Sequence, residues 1–143
     1  MPWHRRFSVI DIIPQPPLPA TAAPVGSKAT QPGPPRDKLS GRPDFTILIY
    51  PAYLVTKDMT ALTPMIAVND KTPPAFLAHA YDDGVTADSS VQYFLALKRN
   101  KVSAELHVYS KGGHGYGMRP SPNAVVTWPK RCEDWLKAGG WVK

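Results

Sequence analysis

Three short apolar runs, each stopped by a turn, constrain the fold of this chain most. Phe45-Thr46-Ile47-Leu48-Ile49-Tyr50 ends at Pro51, and Ala75-Phe76-Leu77-Ala78-His79-Ala80 ends at Tyr81-Asp82-Asp83-Gly84. Val102–Tyr109, less continuous, ends at Ser110-Lys111-Gly112-Gly113. A strand with one wet face alternates apolar and polar residues. A run without that alternation belongs to a strand covered on both faces, as in a parallel sheet. Parallel neighbours need crossover connections. One is on offer between the second and third runs, where Val91, Phe94, Leu95 and Lys98 recur at helical spacing over Asp88 to Arg99. Thr86 or Asp88 can cap its start and Asn100 can stop it. A last helix is expected over Trp128 to Ala138, with Trp128, Cys132, Trp135 and Leu136 on one face, Pro129 in its first turn and Gly139-Gly140 after it. Residues 53–72 show no clear period. The expectation is an α/β arrangement of about three parallel strands with two helices.

Proline sets the other limit. Nine of the 17 prolines fall in residues 1–42, among them Pro14-Gln15-Pro16-Pro17-Leu18-Pro19 and Pro32-Gly33-Pro34-Pro35. Proline cannot donate the backbone hydrogen bond that a helix or central strand needs. Residues 1–41 are therefore expected to be a disordered, Pro-rich, basic tail, and residues 42–143 the folded part. The formal net charge of +6 follows the same division, since residues 1–42 carry six basic and two acidic side chains. A nucleic-acid-binding fold gathers Lys and Arg on its body, so nucleic acid is not an expected partner. Arg5-Arg6, Phe7–Ile13 and Ala20-Thr21-Ala22 have the outline of an export signal, but the apolar part is short and holds Asp11. Cytoplasmic and secreted locations both stay open. The PxxP spacings in the tail arise easily in any proline-rich stretch. No apolar run reaches the ~18–20 residues of a membrane-spanning helix, so no membrane partner is expected. A single cysteine, Cys132, leaves no internal disulfide; on the helix face with Trp128 and Trp135 it reads as a buried, inert thiol.

In open α/β sheets, sites form at the carboxyl ends of the strands. Asp82-Asp83-Gly84 follows the second strand and Gly112-Gly113-His114-Gly115 the third, and the helix and strand between them can bring the two ends side by side. An aspartate facing a histidine is the orienting half of a nucleophilic triad, in which the carboxylate fixes the imidazole tautomer and stabilises the imidazolium. On the residues alone a plainer reading stands beside it: the two aspartates make a turn and helix cap, and His114 is a surface loop residue. Asp82 is the alternative carboxylate. His79 and His107, inside strands, read as structural. Asp82, Asp83 and His114 lack a recognisable metal-ligand spacing, and no cofactor is expected. Lys98-Arg99-Asn100-Lys101 reads as a solvated helix end favoured by the helix dipole.

These segments carry a family resemblance. Arg42 through Tyr53 resembles the sixth-strand region of α/β-hydrolases of the acetyl-esterase and dienelactone-hydrolase type, and is similar also to the prolyl-oligopeptidase catalytic domain. Pro73 through Val85 resembles the segment that delivers the acid of the triad, with Asp83 two residues before Val85 and Gly84 where proline is commoner. Glu105 through Gly117 resembles the last strand and the loop bearing the triad histidine, matched by His114. The resemblance covers about Asp37 to Lys143. It implies a serine ester hydrolase by lineage, acting on a small acetyl or carbohydrate ester, with Asp83 and His114 as the catalytic residues.

The departure lies in what is missing. The sequence contains no Gly-x-Ser-x-Gly, the elbow that holds the nucleophile and, in the following residue, an oxyanion donor. Ser27 and Ser40 lie in or beside the tail, Ser89 and Ser90 open a helix, and Ser110 precedes the histidine loop without an elbow. Two expectations follow. The chain is the acid-and-histidine part of an esterase, inactive until a serine arrives from elsewhere and a small ester can bind. Alternatively it is a truncated or fused non-catalytic remnant, or a piece of a prolyl-oligopeptidase-like peptidase. Phe45–Tyr50, as an edge strand, is expected to offer unpaired backbone for association.

Overall fold

The computed structural model describes residues 7–10 and 43–143. Its elements are β1 (Phe7–Ile10), β2 (Phe45–Ile49), β3 (Ala75–Ala80), α1 (Asp88–Arg99), β4 (Ala104–Tyr109), a 3-10 turn (Ala124–Thr127) and α2 (Trp128–Ala138). The strands form one sheet in the order β1-β2-β3-β4, every neighbouring pair parallel.

Side chains on a strand point alternately to the two faces of a sheet, and here each face has its own helix. Phe45, Ile47 and Ile49 of β2 and Phe76, Ala78 and Ala80 of β3 join Cys132 and Trp135 of α2, with Tyr116 and Val125 completing the cluster. On the other face Leu48, Ala75 and Leu77 meet Leu97 of α1, flanked by Val68, Tyr93, Val102 and Leu106. This double cover explains why every residue of β3 is buried, and why its sequence does not alternate. Phe76 and Leu77 have no exposed surface; full burial of such side chains contributes about 1.5–3 kcal/mol each. Edge-to-face and tilted contacts of Trp135 with Phe45 (5.9 Å), Phe76 (5.8 Å) and Trp141 (4.5 Å) knit α2 to the sheet.

The α/β architecture and both long helices stand where the sequence places them. The third expected strand is shorter, beginning at Ala104 rather than Val102. The chain first turns out of α1 through Asn100, whose side-chain amide donates to the Ala96 carbonyl (2.9 Å), and Lys101 at φ 59°. The start of α1 also differs. Ala87 is its N-cap, and the Thr86 hydroxyl oxygen accepts from the Asp88 N–H (3.2 Å).

The segment expected as tail contributes a fourth strand. Phe7–Ile10 pairs with β2 in the register Phe7↔Phe45 to Ile10↔Leu48. The run is short and strand-compatible, but its partner lies far along the chain and leaves no local trace in the sequence. One consequence corrects the expected edge: β2 is interior, between β1 and β3, and the edges of this sheet are β1 and β4. The remaining residues of the expected tail, including Pro14–Pro35, Ser27 and Ser40, lie outside the described residues. No helix among the described residues is long and apolar enough to cross a membrane.

Candidate active site

Strands β3 and β4 end side by side, and each passes into a loop carrying one member of the expected pair. After β3 the chain turns sharply, with the Asp83 N–H donating to the Ala80 carbonyl (3.2 Å) and the Val85 N–H donating to Asp83 Oδ1 (2.7 Å). The second bond is an Asx-type turn that leaves the carboxylate facing inward, its side chain fully buried. After β4 the histidine loop runs through Gly113, Gly115 and Gly117 at φ 63°, 68° and 53°. These left-handed conformations are strained for other residues, which is why glycines surround His114.

The two loops meet at the imidazole. His114 Nδ1 lies 2.9 Å from Asp83 Oδ2 and 3.1 Å from Oδ1. A carboxylate only accepts, so Nδ1 carries a hydrogen, and in the neutral ring the lone pair is then on Nε2. The His114 side chain is 47% exposed, and Nε2 makes no hydrogen bond among the described residues. The geometry is that of an imidazole ready to take a proton from a hydroxyl.

Asp82 has different work. Its Oδ1 accepts from the Gly112 and Gly113 N–H groups, both at 2.8 Å. It tethers the histidine loop to the carboxylate loop and does not touch the imidazole. Those two backbone donors, Gly113 foremost, hold its carboxyl below the usual carboxylate range.

His79, read as structural, is fully buried yet reaches the same carboxylate: its Nε2 lies 3.3 Å from Asp83 Oδ2. Burial lowers its pKa. Tyr50 also belongs to the site, at φ 43° where β2 ends, its ring set edge-on to His114 at 4.9 Å and to Tyr116 at 4.8 Å. Burial raises the Tyr116 phenol above its ordinary range. The usable signal for Tyr50 was its place at the carboxyl end of a buried strand. For His79 the signal was its spacing of four residues before Asp83. His107 pairs with Glu105 at 2.7 Å, away from the site. Cys132 is buried, its thiol pushed up to about 11. Ser89 accepts from the Leu54 N–H and Ser90 bonds His79; among the described residues no serine hydroxyl bonds His114.

The sequence model of the prolyl oligopeptidase family matches residues 50–139. The chain belongs to that family. Its structural relatives are α/β hydrolases. The acetyl ester-xyloside bifunctional hydrolase of Caldicellulosiruptor lactoaceticus is 30% identical with a TM-score of 0.63, over 71% of this chain and 44% of that one. An α/β hydrolase from a Medee basin deep-sea metagenome library is 22% identical with a TM-score of 0.59, over 68% of this chain and 44% of its own. A carboxylesterase of Lactobacillus plantarum is 21% identical with a TM-score of 0.57, over 75% of this chain and 48% of its own. Comparison with curated proteins gives no match. The chain thus spans less than half the length of each of these relatives, and the four strands and two helices among its described residues are a partial α/β-hydrolase fold.

Proposed function

We propose that this chain is the acid-and-histidine part of a serine ester hydrolase, with Asp83 and His114 as its catalytic residues. The observation that carries this reading is the contact of His114 Nδ1 with the buried Asp83 carboxylate, 2.9 Å at the carboxyl ends of β3 and β4. Asp83 fixes the tautomer and balances the imidazolium without itself taking the proton. His114 Nε2 takes the proton of a serine hydroxyl as it attacks the ester carbonyl. It then returns that proton to the leaving alcohol, and repeats the cycle with water to release the acid. The serine and the oxyanion donor beside it come from sequence outside these 143 residues, since no Gly-x-Ser-x-Gly is present. An esterase is favoured over a peptidase by the acetyl ester-xyloside hydrolase among the relatives, and a small acetyl or carbohydrate ester is the proposed substrate class.

The missing elbow also favours a second reading, a non-catalytic remnant. The DNA upstream of the first codon separates the two. A Gly-x-Ser-x-Gly in any frame there, preceded by alternating strand and helix patterns, makes the chain part of an esterase; a clean gene boundary favours the remnant. The isolated chain tests the division of labour. It should hydrolyse p-nitrophenyl acetate no faster than its His114→Ala variant and a free-imidazole control, because nucleophile and oxyanion hole are absent together. Saturable activity lost in both Asp83→Asn and His114→Ala would overturn this and point to a serine such as Ser110 or Ser40.

A further inference from the structure

The geometry points to His79 as a positioning residue: a buried imidazole whose Nε2–H holds the Asp83 carboxylate on His114 Nδ1 and so fixes the tautomer of His114. This rests on Asp83 and His114 forming the acid–base pair proposed above.

The hydrogen positions on His79 follow from its partners. Nε2 lies 3.0 Å from the Val85 carbonyl oxygen and 3.3 Å from Asp83 Oδ2. Both atoms can only accept, so Nε2 carries a hydrogen, bonded to the Val85 carbonyl with the Asp83 oxygen close beside it. Nδ1 lies 2.8 Å from Ser90 Oγ. With Nε2 protonated, a neutral ring accepts there from the serine hydroxyl, which has no such restriction. His79 and Ser90 are both fully buried, and burial disfavours the charged ring. The titratable groups facing His79 are Asp83 and His114.

The carboxylate is thereby held from three directions. Oδ1 accepts from the Val85 N–H at 2.7 Å, while Oδ2 faces His79 Nε2 at 3.3 Å on one side and accepts the His114 Nδ1–H on the other. In the neutral form that burial favours, His79 orients Asp83 without spending the carboxylate's charge, which stays available to the imidazolium of His114. Val85 ties the device together, since its N–H binds one carboxylate oxygen and its carbonyl accepts the His79 hydrogen that lies beside the other. Ser90 belongs to the first turn of α1, so the helix that covers one face of the sheet also sets the ring orientation. A structural histidine filling space in β3 would need none of these bonds.

The test is nitrogen-15 NMR of the full chain with labelled histidine, reading the tautomer of each ring from its long-range proton–nitrogen correlations at pH 8, in wild type, His79→Gln, His79→Leu and Asp83→Asn. The expected result is an Nε2–H tautomer for His79 and an Nδ1–H tautomer for His114. In His79→Leu the His114 signals should move to a mixture of tautomers. His79→Gln, whose amide can donate from near the same place, should keep the Nδ1–H form. An unchanged His114 tautomer in a folded His79→Leu overturns the inference. So does a His79 that carries its hydrogen on Nδ1 at pH 8, a result readable even if His79→Leu does not fold. Asp83→Asn separates the two levels. If it leaves His114 unchanged, the acid–base pair itself is wrong. If it alters His114 while His79→Leu does not, only the role of His79 fails.

Discussion

Gly112 joins the packing of the sheet to the geometry of the histidine loop, and adding one methyl group there tests both. A Cβ at this position would lie 2.9 Å from Ala80 Cβ and 3.1 and 3.2 Å from Val125 Cγ2 and Cβ. Carbon atoms pack best at about 3.5–4.0 Å, so the methyl group must gain roughly 0.5–1 Å of room. Neither neighbour can yield it cheaply, because Ala80 is a β3 residue with 0% exposure and Val125 is 1% exposed. Overpacking of this kind costs about 1–3 kcal/mol. At roughly 4–8 °C per kcal/mol for a domain of 60–100 residues, the melting temperature should fall by ~5–20 °C. Gly84→Ala is the control, since a Cβ there meets nothing within 4 Å; it should be neutral or stabilising by up to ~1 kcal/mol. Urea and thermal unfolding followed by circular dichroism measure both. Adding Ala80→Gly to Gly112→Ala removes the nearest obstructing atom. The double variant should therefore be more stable than the sum of the singles predicts, by about 0.5–3 kcal/mol. Stability of Gly112→Ala within ~0.5 kcal/mol of wild type, the usual scatter of harmless substitutions, or strict additivity in the double variant, would refute the reasoning.

Other substitutions probe separate parts of the account. Asp82→Asn should weaken the tether on the Gly112 and Gly113 N–H groups. The folded Asp82 carboxyl is depressed from 3.8, so its contribution is present above the unfolded value and is lost as pH falls through the folded one. The stability gap between wild type and Asp82→Asn should hold at pH 7 and close below about pH 4; a gap that is constant with pH would contradict this. Trp135→Ala empties the contact between α2, Phe45 and Phe76 and should cost about 3–5 kcal/mol, read as loss of the cooperative melt. Cys132, buried with its thiol pushed up to about 11, should resist a disulfide-exchange reagent at pH 8 until guanidinium unfolds the chain; rapid native labelling would place it at the surface.

What the sequence made legible follows from where the controlling physics is local. The strands β2 and β3 announce themselves because a surface covered on both faces needs unbroken apolar residues, and α1 and α2 because their burial repeats with the helix. The Asp83–His114 pair was readable because two loops after neighbouring parallel strands converge. Phe7–Ile10 was not, since a four-residue strand beside a proline-rich stretch takes its stability from a partner far along the chain. Asp82 and Asp83 are adjacent, and spacing left both open; only the family resemblance, with Asp83 two residues before Val85, favoured Asp83. That choice depends on which carboxylate the turn to Val85 directs inward. His79 was hidden for a related reason: a histidine inside an apolar strand looks the same whether it fills space or holds a carboxylate.

The central claim is that Asp83 and His114 are a working acid–base pair lacking only the nucleophile-bearing half. The most direct measurement supplies that half, by joining the elbow-containing part of the Caldicellulosiruptor lactoaceticus relative to residues 43–143 and following p-nitrophenyl acetate hydrolysis. Turnover in the chimera should be saturable and should fall by about 10⁴-fold or more in both His114→Ala and Asp83→Asn, the scale on which a disabled triad loses its rate. A chimera that turns over at the same rate after either substitution would contradict it.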